Sequence, residues 1–222
     1  MTLLQSIILG IVQGLTEFLP ISSSGHLVIV PSLLKWEKPS LFFDVTMHLG
    51  TLIALVIYFR HEIRDMLNKL FKTFKKMKID EASEMVPWLI LIGTIPAVIF
   101  GLFFKDAIEY LFTKSLYVSV FLVLTGIFIW FSESYTKRLK DKERKMEELS
   151  VLDSIIIGIA QALAIIPGIS RSGWSISAGL LRGLKRYEAT KFSFLLSMPA
   201  VFGAFIFKLI TMDTTRIEPT MY

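Results

Sequence analysis

Two apolar stretches of this chain are copies of one another, and both are broken at the same place. Residues 6–25 (SIILGIVQGLTEFLPISSSG) lie on residues 154–173 (SIIIGIAQALAIIPGISRSG) without a gap, identical at eleven of twenty positions. Unrelated apolar helices share leucines and isoleucines readily, but not also a glutamine, serines and two glycines. The first run extends over 3–34 and is interrupted by the turn LPISSSG at 19–25. The second extends over 151–184 and is interrupted by PGISRSG at 167–173. Irregular backbone at membrane depth is tolerated only where protein or a wet cavity surrounds it. Each run is therefore expected to form a re-entrant helix–turn–helix hairpin, with two full crossings as the alternative.

The rest of the chain supplies the membrane context. Hydrophobic residues make up 53% and charged residues 19%, against about 45–50% and about 25% in a soluble domain. This excludes disorder, and the lack of cysteine excludes a disulfide scaffold or a thiolate site. Four runs are long enough, or nearly so, to cross a bilayer: 41–59, 86–104, 115–131 and 192–207. Lys and Arg concentrate in 60–84, 134–150 and 182–191, which hold 17 of the 24. Their apolar flanks point to cytoplasmic loops under the positive-inside bias rather than to a nucleic-acid surface. With 60–84 and 134–150 as basic cytoplasmic loops, residues 35–40 and 105–114 fall outside. No cleavable signal peptide is read in the first 19 residues.

The expected fold is an all-α integral membrane protein forming one multi-pass domain over 1–222. Repeat 1 covers 1–133 with its hairpin at 3–34. Repeat 2 covers 151–222 with its hairpin at 151–184, and has no counterparts of the spans 86–104 and 115–131. If the first hairpin enters from outside and the second from the cytoplasm, the repeats are inverted, an arrangement that places a polar site near the midplane.

The turns carry the polar chemistry. Gln13 and Glu17 share one helix face, and a carboxylate in an apolar segment costs about 2.5–3.5 kcal/mol on insertion scales unless it has a partner. Ser22, Ser23, Ser24 and His26 follow, with Ser23 and His26 three apart, the spacing of a nucleophile and a base; serines there also suit helix capping. In the second turn Arg171 replaces Ser23 and Trp174 replaces His26. Arg171 stands among Gly168, Ser170, Ser172 and Gly173 at a helix start, where oriented amides and a guanidinium suit phosphate. Asp44 and His48, four apart on the 41–59 run, face either the cavity or an interface. Attack on phosphorus is the favoured chemistry, and a lipid flippase or transporter without hydrolysis is the rival.

The segments QGLTEFLPISSSGHL (13–27) and PGISRSGWS (167–175) resemble the two signature motifs of the undecaprenyl-diphosphatase family, also called bacitracin-resistance proteins. The likeness extends to FFDVTMHLGTLIALVIYFR (42–60) and KFSFLLSMPAVFGA (191–204). It implies a membrane phosphatase that converts undecaprenyl diphosphate to undecaprenyl phosphate, recycling a carrier for cell-wall polymers and conferring bacitracin resistance. It implies a divalent cation, Mg2+ or Ca2+, with Glu17 as its candidate ligand, and an active site open to the extracytoplasmic side of the cell membrane. Catalytic residues implied are Glu17, Ser23, His26 and Arg171; substrate contacts are Gln13, Ser22, Gly168, Ser170, Ser172, Gly173 and Ser175. Gln13 and Ser175 stand where family members often carry Glu and Thr. Members usually continue for two more spans beyond a point like Tyr222, so a chain shortened at its end is expected. The expected partner is a polyprenyl diphosphate within membrane lipid, not nucleic acid, and self-association is left open.

Overall fold

A computed structural model describes residues 1–37, 39–137 and 144–211. The polar tail at 212–222, and Arg138, Lys140 and Lys142 of the second basic segment, lie outside them. Among the described residues the regular structure is helical. Ten α-helices follow in chain order: α1 (Leu3–Phe18), α2 (Ser23–Leu33), α3 (Leu41–Tyr58), α4 (Arg60–Lys76), α5 (Ala82–Phe103), α6 (Lys105–Phe112), α7 (Ser115–Thr136), α8 (Val151–Leu163), α9 (Arg171–Leu181) and α10 (Arg186–Thr211).

Three of them, α5, α7 and α10, are long and apolar enough to cross a membrane. A fourth candidate is the pair α3 and α4, whose axes are bent by 79° at their junction. The segment 60–84, expected as a basic loop, is therefore largely helix. Its Ile63, Met66, Leu70 and Phe74 recur at helical spacing, and a continuous amphipathic pattern favours a helix over a loop.

The two repeated runs fold as helix pairs. α1 packs on α2, and α8 packs on α9. Their inner helices start alike. Ser22 caps α2 by accepting from the Gly25 amide at 3.2 Å, and Ser170 caps α9 by accepting from the Gly173 amide at 3.1 Å. Each capping serine also sits 3.3 Å from a second hydroxyl two residues on, Ser24 or Ser172. Ser22 takes φ 66°, a left-handed conformation that persists only where neighbouring bonds fix it; its own cap does so here.

Both turns are seated on α7. Gly25 lies where an added carbon would approach Leu122 at 3.0 Å, and Gly173 where it would approach Ile129 at 2.8 Å. Gly168, at φ +94°, passes the Val118 carbonyl so closely that a side-chain carbon would lie 2.3 Å from it. Thr125, buried in α7, accepts from the Ser170 amide and the Trp174 indole, each at 3.3 Å, and donates to the Gly168 carbonyl at 3.2 Å. A single helix thus fixes where both turns sit.

The main apolar core lies elsewhere, between α3, α5, α8, α9 and α10, around Leu89, Ile157, Phe192, Leu195 and Leu196. Within it α5 and α8 cross at small residues. A carbon added to Gly158 would lie 2.1 Å from the Gly93 carbonyl oxygen, and the Ser154 hydroxyl donates to the Leu89 carbonyl at 2.5 Å. Ser154, Gly158 and Ala162 form a stripe of small residues at every fourth position, which lets two backbones approach without lipid between them.

Gly158→Ala is therefore expected to destabilise the protein by about 1–3 kcal/mol, the usual cost of overpacking. Gly126→Ala, where the added carbon meets nothing within 4 Å, is expected to be neutral or stabilising because alanine favours helix. Unfolding midpoints in detergent measure both, and equal midpoints would show that the crossing has slack.

Candidate active site

Glu17 is the centre of the polar cluster. It is buried near the end of α1, and four side chains from four helices converge on it. Arg171, the first residue of α9, donates to Oε1 through Nη2. The Ser23 hydroxyl, from the start of α2, donates to Oε2. Gln13 Nε2, one turn back on α1, donates to the same oxygen at 2.9 Å, and His48 Nε2 of α3 lies 3.5 Å from it. The two hairpins thus meet through a carboxylate and a guanidinium, each at a position where the two repeats differ.

A cavity of about 400 Å³ opens beside this cluster. Glu17, Ser23, His48, Ser170, Arg171 and Ser172 line its polar end. Ala97 and Val98 of α5, Ile108 and Phe112 of α6, and Val201 and Phe207 of α10 line its apolar part. The volume is in the range of small-ligand sites. The starts of α2 and α9 both reach the polar end. Helix geometry leaves the first amides of each without an intrahelical acceptor, and such amides favour anions.

The remaining sequence-derived candidates divide. Ser22 and Ser170 serve as helix caps, and the Gly173 amide is committed to that cap. Ser175 donates to the Arg171 carbonyl at 2.6 Å and lies 2.5 Å from the Ser193 hydroxyl. Gly168 serves the close pass over α7. The structure gives these residues structural tasks, and Ser170 also lines the cavity together with Ser172. His26 is outside the cavity lining. Its Nδ1 is 2.8 Å from the Ser22 carbonyl; a carbonyl only accepts, so Nδ1 carries a proton and donates it there. His48 lines the cavity and Asp44 does not; Asp44 Oδ1 is buried with no hydrogen-bond partner.

Gln161 and Thr125 also shape the site and were not singled out from sequence. Gln161 lines the cavity, donates to the Leu196 carbonyl at 3.3 Å and keeps a buried Oε1 without a partner. The signal for it was available, since it is the repeat counterpart of Gln13. For Thr125 the only signal was a hydroxyl in the middle of an apolar span.

Residues 6–221 match the family described as bacitracin resistance protein BacA. The chain is 44% identical to a protein of Geotalea daltonii named undecaprenyl-diphosphatase, over 99% of this chain and 80% of that one. It is 46% identical to one of the same name from Chlorobaculum parvum, over 94% and 76%. A Moorella thermoacetica protein, also so named, is 43% identical over 94% and 77%.

Replacing Glu17 by Gln or Arg171 by Gln leaves one partner of the pair without its counter-charge. A double-mutant cycle on Glu17→Gln and Arg171→Gln is expected to give a coupling of about 1–3 kcal/mol in unfolding free energy, as for side chains in direct contact. Additive effects would show that the contact does not hold the hairpins together.

Proposed function

The chain belongs to the bacitracin resistance protein BacA family, and from that premise we propose that it hydrolyses undecaprenyl diphosphate at the cavity bounded by Glu17, Ser23 and Arg171. The contact of Glu17 with both Ser23 and Arg171 carries this reading, because it joins a nucleophile, a proton acceptor and a phosphate-binding cation in one place. The protein is a membrane hydrolase, an undecaprenyl-diphosphatase of the kind associated with bacitracin resistance.

The mechanism follows from these side chains. The diphosphate enters the polar end of the cavity and the first isoprene units lie along α5, α6 and α10. The cavity is far too small for the whole polyprenyl chain, so the rest of the tail lies in lipid. Arg171 has five N–H donors in a planar fork, enough to keep Glu17 while holding phosphate oxygens. The amides at the starts of α2 and α9 add fixed positive potential where charge develops. The Ser23 oxygen attacks the terminal phosphorus as its proton passes to Glu17 Oε2. The bond from that phosphorus to the bridging oxygen breaks, and undecaprenyl phosphate leaves. Water then attacks the phosphoserine, giving its proton to His48, which lines the cavity with Nε2 3.5 Å from Glu17 Oε2. The bond from phosphorus to Ser23 oxygen breaks, Glu17 returns the proton to Ser23, and phosphate is released.

The donor set also suits a divalent cation. Gln13 Oε1 is a buried acceptor without a partner beside the Glu17 carboxylate, and hard cations take oxygen ligands, often sharing them with substrate phosphates. Glu17 and Gln13 would hold Mg2+ or Ca2+, which when bound would neutralise charge on the diphosphate. Among the described residues no group of three or more His, Asp or Glu gathers as a metal site, so the substrate would complete the coordination.

Helix lengths support re-entrant hairpins. α1 has 16 residues and α8 has 13, about 24 and about 20 Å at 1.5 Å per residue, short of the ~30 Å hydrocarbon layer. Two such hairpins entering from opposite faces would meet as Glu17 and Arg171 do. The cavity is lined by the later part of α5 and by α6, away from the basic segment that precedes α5. Under the positive-inside bias it opens to the extracytoplasmic side of the cell membrane.

Phosphate release from undecaprenyl diphosphate by the purified chain tests the reading. Ser23→Ala and Arg171→Gln are each expected to lower kcat by about 10²–10³-fold, and a chelator to suppress release until Mg2+ or Ca2+ is restored. Retention of more than a tenth of the activity by both variants would overturn the assignment.

A further inference from the structure

Helix α4 takes no part in the cavity. It leaves α3 at Phe59 with a bend of 79°, and the bend divides an apolar piece from a charged one. With α3 directed across the bilayer, α4 lies close to the membrane plane.

Around its axis α4 changes character in four steps. One flank is seated on the protein. Ile63 and Met66 pack against the core, Thr73 is buried and accepts from the Trp88 indole at 2.9 Å, and Lys72 pairs with Glu84 at 2.5 Å. The adjoining face carries Leu67, Phe71 and Phe74 at i, i+4 and i+7, and these are 59%, 71% and 70% exposed. Bordering them, seven before and four after Phe71, are Arg64 and Lys75. Behind these come Asn68, Lys69 and Lys76. Three large apolar side chains in a row do not suit water. Seven Lys and Arg against two acidic residues over 60–78 do not suit hydrocarbon. The sequence of apolar, cationic and then polar faces suits the interface between the two.

The cations differ in how committed they are. Lys69 pairs with Asp65 at 2.8 Å, Lys76 with Asp80 at 3.1 Å and Lys78 with Asp80 at 2.9 Å. Among the described residues Arg60, Arg64 and Lys75 make no ion pair; Arg60 donates to the Ile57 carbonyl of α3 at 3.0 Å, and Arg64 and Lys75 border the apolar stripe. Long basic side chains at that position reach from the acyl boundary to the headgroups.

We propose that α4 is a membrane-surface helix that sinks Leu67, Phe71 and Phe74 into the acyl boundary and binds anionic lipid headgroups through Arg64 and Lys75. The lipid acts here as a surface ligand, at a site separate from the diphosphate cavity.

The absence of cysteine makes the test direct. Single substitutions Phe71→Cys, Phe74→Cys and Asn68→Cys in the full chain are spin-labelled after reconstitution into phosphatidylcholine vesicles with phosphatidylglycerol. Labels at 71 and 74 are expected to be relaxed by oxygen more than by a water-soluble nickel chelate, and the label at 68 the reverse. Nickel-dominated relaxation at all three would overturn the seating. Headgroup binding is read separately with spin-labelled phosphatidylglycerol and phosphatidylcholine. Preference for the anionic lipid is expected to fall about fivefold for each charge removed in Arg64→Gln and Lys75→Gln, and to survive in Arg64→Lys and Lys75→Arg. An unchanged preference in the Gln variants would overturn the headgroup site while leaving the diphosphatase reading untouched.

Discussion

A carboxylate buried among apolar helices needs a cation, and here the cation comes from the other hairpin. Glu17 and Arg171 are 154 residues apart, yet neither is tolerable alone at such a position. Their contact forces the two turns together and brings the starts of α2 and α9, with Ser23, to one place. The pairing does not act unaided. α7 passes beneath both turns, with Thr125 binding the second through three hydrogen bonds and close-packed glycines setting the distance of each. The polar contact selects which turns meet, and the glycine contacts fix how closely they sit.

Comparing the repeats separates scaffold from chemistry. Ser22 and Ser170 cap equivalent helices, Ser24 and Ser172 stand beside them alike, and Gly25 and Gly173 both pack on α7. Where the copies differ, the tasks differ. Glu17 faces Ile165 in the alignment, Ser23 faces Arg171, and His26 faces Trp174, whose indole binds Thr125 and whose ring lies tilted against Phe128 with centroids 4.6 Å apart. The serines and glycines shared by the two turns serve what both copies must do, which is to turn and start a helix. A divergent residue is free to serve what only one copy does.

That division also sets what the sequence could disclose. The broken runs, the apolar helices and the polar residues at the turns were legible, because hydrophobic length, turn residues and local spacing carry them. His48 was visible as a polar residue on a helix, but its approach to Glu17 depends on how α3 packs, which no local pattern encodes. The amides of Ser170 and Gly173 looked available for an anion, yet each is taken, one by Thr125 from a distant helix and one by its own cap. The segment after Phe59 was dominated by its lysines, and its apolar period was the better guide to structure.

The placement of α4 bears on the cavity through mechanics rather than chemistry. It continues directly from α3, which brings His48 and Val45 to the cavity wall, and its Glu62 pairs with Lys191 of α10 at 3.2 Å. α10 in turn lines the apolar part with Val201 and Phe207. A helix held at the membrane surface and fastened to both α3 and α10 therefore limits how far those walls can tilt apart. The polar end is held by Glu17 and Arg171, so relative movement of α3 and α10 would act on the apolar part, where the lipid tail must enter and leave.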